Sequence, residues 1–130
     1  DSMAGLSKVE DYLIDLGIAY EEIAPNTWLV DDVEKELPKI VASWLDPVVF
    51  IRADMTKVPD QDREAFFREL LVLNGESLVH GAYALDGDEV FLVDTLEYAG
   101  LDKSELQASL VAIGFAVAEH YPLLARFMKN

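Results

Sequence analysis

Residues 60–118, DQDREAFFRELLVLNGESLVHGAYALDGDEVFLVDTLEYAGLDKSELQASLVAIGFAVA, decide the fold. The spacing predicts an amphipathic helix over residues 60–74. Phe66, Phe67, Leu70, Leu71 and Leu73 form its buried face, and Glu64 and Arg68 stand on its wet side in the favourable i,i+4 order. Asn74-Gly75 supplies the stop. Residues 81–85 and 89–96 then read as a hairpin turning at Asp86-Gly87-Asp88. Val90 and Leu92 face one way and Phe91 and Val93 the other, so cover is expected on both faces. Asp102 caps the next helix, with Glu105 as its capping-box partner. Leu106, Leu110, Ile113 and Val117 make one stripe, widened by Val111, Phe115 and Ala118. Ala112, Gly114 and Ala116 permit close backbone approach, and only Gln107 and Ser109 are polar between 106 and 118. A helix apolar on most sides is buried on most sides, and a lone chain of 130 residues has trouble hiding it. A second copy is therefore expected to cover it, with Leu110, Ile113, Gly114 and Val117 at the dimer contact.

Upstream, Ser7 and Glu10 begin a helix that carries Val9, Tyr12, Leu13 and Leu16 and stops at Gly17. Residues 20–24 and 27–31 flank Pro25-Asn26 as a hairpin, with Trp28 and Val30 on one face and Leu29 on the other. Residues 32–36 are charged and read as a loop. Residues 39–45 and 48–53 are strand-like around Asp46-Pro47. The second, with Val48, Val49, Phe50 and Ile51, is expected to be central and covered on both faces. Pro122 is expected to restart a short last helix with Leu123, Leu124, Phe127 and Met128. The order α-β-β-β-β-α-β-β-α-α predicts one α+β domain over residues 1–130, a mainly antiparallel sheet with helices on one face.

Composition narrows the function. The chain holds 52 % hydrophobic residues, enough for a core without staples, and no cysteine. Its formal charge of −15 repels phosphate backbones and anionic lipid, so neither nucleic acid nor membrane is an expected partner. Apolar runs fall short of the roughly 20 residues of a membrane span, and the start lacks the pattern of a secretory signal.

Catalytic signals are weak. His80 and His120 lie outside any H-E-x-x-H or G-x-S-x-G arrangement, and the dipole of a helix end accounts for His120 as a surface cation. Asp86-Gly87-Asp88 is a turn rather than a calcium loop, because Val90–Val93 follows at once. Phosphate cradles of either glycine-rich type are missing. Among the aromatic residues, Trp44 beside Asp46-Pro47 is the candidate for gripping a peptide side chain; its alternative role is to close the end of the core.

Leu70-Leu71-Val72-Leu73-Asn74, Gly81-Ala82-Tyr83-Ala84-Leu85-Asp86, Val90-Phe91-Leu92-Val93 and Leu101-Asp102 together resemble the YbjN family, which shares the type III secretion chaperone-like fold. Thr27-Trp28-Leu29-Val30 and His120-Tyr121-Pro122-Leu123-Leu124 favour YbjN over the secretion chaperones proper. The resemblance implies an acidic cytosolic homodimer that holds a partner's segment in extended form, or a bacterial regulator. It brings no catalytic residues, cofactor or metal. The expectation is a non-enzymatic, dimeric, chaperone- or adaptor-like domain in the cytoplasm. The alternatives are a regulatory module sensing a small ligand and, more remotely, a hydrolase using two carboxylates.

Overall fold

The computed structural model describes residues 6–128. Its elements are α1 (Lys8–Leu16), β1 (Tyr20–Ala24), β2 (Thr27–Val30), β3 (Ile40–Leu45), β4 (Val48–Lys57), α2 (Arg63–Glu76), β5 (Ala82–Asp86), β6 (Glu89–Glu97) and α3 (Lys103–Ala125), closed by a 3-10 turn at Arg126–Met128. The six strands form one sheet in the order β1-β2-β3-β4-β6-β5, every neighbour antiparallel.

Local signals set the helix ends. The Ser7 side chain accepts the amide of Glu10, and Gly17 takes the left-handed conformation while its N–H donates to the end of α1. Asp102 accepts the amide of Glu105 at 2.8 Å, and the Glu105 carboxylate accepts the amide of Asp102 at 3.0 Å. The Glu105 amide and the Ser104 hydroxyl, both donating to it, hold the Asp102 carboxyl below the ordinary carboxylate range.

Trp28, Val30, Ile40, Ala42, Val49, Ile51, Ala53, Val90 and Leu92 alternate along their strands and share the buried face of the sheet. Val9 and Leu13 of α1, Phe66, Leu70 and Leu73 of α2, and Leu106, Leu110 and Ile113 of α3 complete that core. Gly81 lies at φ +80°, and a Cβ there would meet the Val93 carbonyl oxygen at 2.6 Å, so the chain needs glycine where it enters β5.

Four expectations change. β4 is central, but Phe50 and Arg52 on its second face are only half-buried, as are Phe91 and Val93 of β6; among the described residues no helix covers this face. Leu71 is 70 % exposed, because α2 turns only its Phe66–Leu70–Leu73 stripe inward. Asn74 does not end α2: the helix runs on to Glu76, and the Asn74 side chain accepts the Tyr83 amide of β5 at 2.7 Å. Pro122 does not begin a new helix; it sits inside α3, which runs unbroken for 23 residues.

Candidate functional site: two partner surfaces

α3 has two apolar faces with different fates. On the inner face Leu106, Leu110 and Ile113 are fully buried by the chain itself. Gly114 lies against the loop that enters β3: a Cβ there would stand 3.1 Å from Leu37 and 3.2 Å from Pro38. This corrects the expected dimer contact. Leu110, Ile113 and Gly114 are buried within the chain itself, and Val117 is partly buried against its core. The small residue does serve close approach, but to the chain's own loop. On the outer face Val111 is 55 % exposed and Phe115 66 %, flanked by exposed Ala108 and Ala118. Their 3-4-3 spacing makes a continuous ridge, and no charged side chain occurs on α3 between Glu105 and Glu119. By length and composition α3 with its 3-10 turn could cross a membrane, but its inner face supplies the core of this domain.

The second surface lies at the opposite edge of the sheet from β5. A groove of about 620 Å³ runs between the end of α1 and the segment after β2, lined by Leu13, Ile14, Gly17, Ile18, Tyr20 and Val33 among others. Ile14 is half exposed, and Val33 is 82 % exposed. Asp32 builds the wall. Its carboxylate accepts the Ala19 amide at 2.8 Å and the Lys35 amide at 3.1 Å, clamping the start of β1 to the loop. The Ala19 amide is the main reason its carboxyl stays below the ordinary range. Tyr20 donates to Glu10 at 2.7 Å; burial and then this bond to a carboxylate push its phenol up to about 12. Beside the groove, β1 ends the sheet. The Asp31 amide donates to the Ala19 carbonyl and Tyr20 faces Val30, so hydrogen-bonded pairs fall at odd-numbered residues of β1. The main-chain groups of Tyr20 and Glu22 therefore point away from β2.

Trp44 is at the other end of this sheet face. Its ring stacks on Tyr98 with centroids 4.0 Å apart, and Tyr98 in turn receives the Lys8 amide on its hydroxyl. The Trp44 Nε1 is enclosed without a hydrogen-bond partner, so the indole shows no donor to a ligand. The side chain is half-buried and packs against the core.

His120 is not at a helix end: it lies buried within α3, sharing a 2.7 Å hydrogen bond with the Tyr83 hydroxyl. Burial pushes its pKa below the ordinary value, against the opposing pull of Glu119 and Glu69, and so favours neutral imidazole over the expected cation. Burial also raises the Tyr83 phenol. Ser109, Asp94 and His80 come together, but the Ser109 hydroxyl donates to Asp94 at 2.8 Å and His80 stands 3.9 Å from that same carboxylate. Ser109 is fully buried, so its hydroxyl is shut off from solvent and its bond to Asp94 ties α3 to β6. Among the described residues no cluster of three or more His, Asp or Glu side chains is placed to hold a metal.

The sequence matches the CesT_Tir_1 family, a type III secretion chaperone family, over residues 3–130. The chain belongs to that family. No curated protein matches it. Among solved structures, a chain of the heterodimeric ExoU–SpcU complex from the type III secretion system of Pseudomonas aeruginosa superposes with a TM-score of 0.73 at 18 % identity, covering 89 % of this chain and 97 % of that one. YbjN from E. coli gives 0.64 at 14 % identity, with 86 % and 87 % covered. A chain of the HopA1–SchA chaperone–effector complex gives 0.64 at 8 % identity, with 88 % and 91 % covered. At these identities the likeness establishes a shared fold.

The groove was not visible in the sequence. Ile14 and Val33 are 19 residues apart and meet through the clamp made by Asp32, which periodicity does not reveal. The outer ridge of α3 was visible, but only as widening of the core stripe.

Proposed function

We propose that this chain is a non-enzymatic, chaperone- or adaptor-like protein that works as a cytoplasmic homodimer and holds a segment of a partner protein. The observation that carries the reading is the groove of exposed Ile14 and Val33 beside the open edge of β1. An extended segment placed there finds outward main-chain groups on Tyr20 and Glu22 and an apolar floor for its side chains. Family membership and the chaperone–effector complex among its fold relatives support this.

The dimer belongs on the outer ridge of α3. With a net charge of −15, two copies repel unless their contact avoids carboxylates. Ala108, Val111, Phe115 and Ala118 offer such a face, and pairing it removes apolar surface worth roughly 25 cal/mol per Å² from water.

Affinity capture from lysate tests the partner role. The wild-type chain should retain a protein that an Ile14→Ser, Val33→Ser variant releases, while Trp44→Ala retains it. Equal retention by the groove variant would refute the assigned surface, and loss with Trp44→Ala alone would return recognition to that ring.

A further inference from the structure

We propose that the segment held in the α1–β1 groove is cationic as well as apolar, with Lys or Arg interleaved among its anchoring side chains. This rests on the partner-holding reading above and adds the chemistry of the partner. The groove's lining includes Asp31, Asp32 and Glu34 and no basic side chain. Asp32 is occupied by the Ala19 and Lys35 amides, but among the described residues Asp31 and Glu34 form no ion pair, and neither do Glu21 and Glu22 on exposed β1. The far end of the sheet is built differently. There Arg52 pairs with Asp54 and Asp86, Lys57 with Glu89, and Arg63 with Asp88. Acids at the β4–β6 end thus have basic partners within the chain; on the groove side Asp15 of α1 pairs with Lys103, but the lining acids Asp31 and Glu34 do not pair among the described residues. Among the described residues Lys35 is the one basic side chain whose charge reaches the wall at Asp32; an acidic segment entering the groove would otherwise meet like charge from Asp31, Asp32 and Glu34, and a cationic one would meet opposite charge. The exposed side chains of Ile14 and Val33 separate this surface from a bare anionic patch, because they reward an apolar anchor between the cations.

Fluorescence anisotropy with labelled twelve-residue peptides at low salt tests the inference on the full chain. One peptide alternates Leu with Lys, a second Leu with Gln, a third Leu with Glu, and a fourth Ser with Lys. The Leu/Lys peptide should bind best. The Leu/Gln peptide should bind about tenfold more weakly and the Leu/Glu peptide not at all, for loss or reversal of several rim contacts. The Ser/Lys peptide should also lose about tenfold or more through its missing anchors. Asp31→Asn with Glu34→Gln should shrink the preference for Leu/Lys over Leu/Gln severalfold, and an unchanged preference would overturn the assignment of the cations to this groove. Equal binding of Leu/Lys and Leu/Gln, both lost in Ile14→Ser, would overturn the cationic preference yet leave the partner-holding groove intact. Equal binding of Ser/Lys and Leu/Lys would overturn the proposal in favour of diffuse charge attraction. If no peptide binds, both the preference and the groove reading fall.

Discussion

The two faces of α3 carry similar apolar residues to opposite ends. Leu106, Leu110 and Ile113 turn inward and are sealed by the sheet and α1, whereas Val111 and Phe115, one to two positions away, stand in solvent. Inner residues hold the subunit together; outer residues are free to hold something else. The comparison teaches that apolarity around a helix shows how much surface must be covered, and says nothing about which side the chain itself covers.

The largest effect is expected from emptying the inner face. Ile113→Ala or Leu110→Ala removes methyl groups from fully buried sites and should cost about 2–5 kcal/mol in urea unfolding. A loss below about 1 kcal/mol would mean that the inner face is poorly packed. Next, Gly114→Val forces side-chain atoms against Leu37 and Pro38 and should cost about 1–3 kcal/mol. An unchanged unfolding midpoint would show that the loop is not seated on α3.

His120 gives the inner face a pH dependence. Its folded pKa is lowered, so below its ordinary value of about 6.5 the unfolded chain binds the extra proton more readily. Its contribution to stability is fully present above about pH 6.5 and declines as pH falls toward and through the lowered folded value. Unfolding curves between pH 7.5 and 5 should show that decline, and His120→Gln should flatten it. The same slope in both proteins would place its source elsewhere. The smallest stability effect belongs to the outer face: Val111→Ser should change the stability of dilute protein by no more than about 0.5 kcal/mol. A larger loss would mean that Val111 is part of the subunit core.

Much of the fold was legible because its signals are local. Ser7, Gly17 and Asp102 name helix ends by their own cap chemistry, and Asp86-Gly87 names a hairpin. What escaped depends on distant contacts. Pro122 looked like a boundary, yet Leu124 beyond it is fully buried and the helix continues to reach that place. His120 looked like an end-of-helix cation until Tyr83, 37 residues away, enclosed it. Gly114 looked like a contact for a second copy until Leu37 and Pro38 filled the space above it. The candidate groove was least legible, since its apolar floor and acidic wall come from segments joined only by the Asp32 clamp.

Sedimentation equilibrium on the wild-type chain and on a Val111→Asp, Phe115→Asp variant tests the division of α3 most directly. The account predicts a wild-type dimer at micromolar concentration and a folded monomer for the variant, each new carboxylate facing its own copy across the contact. A wild type that stays monomeric, or a variant that dimerises as tightly as its parent, would contradict it.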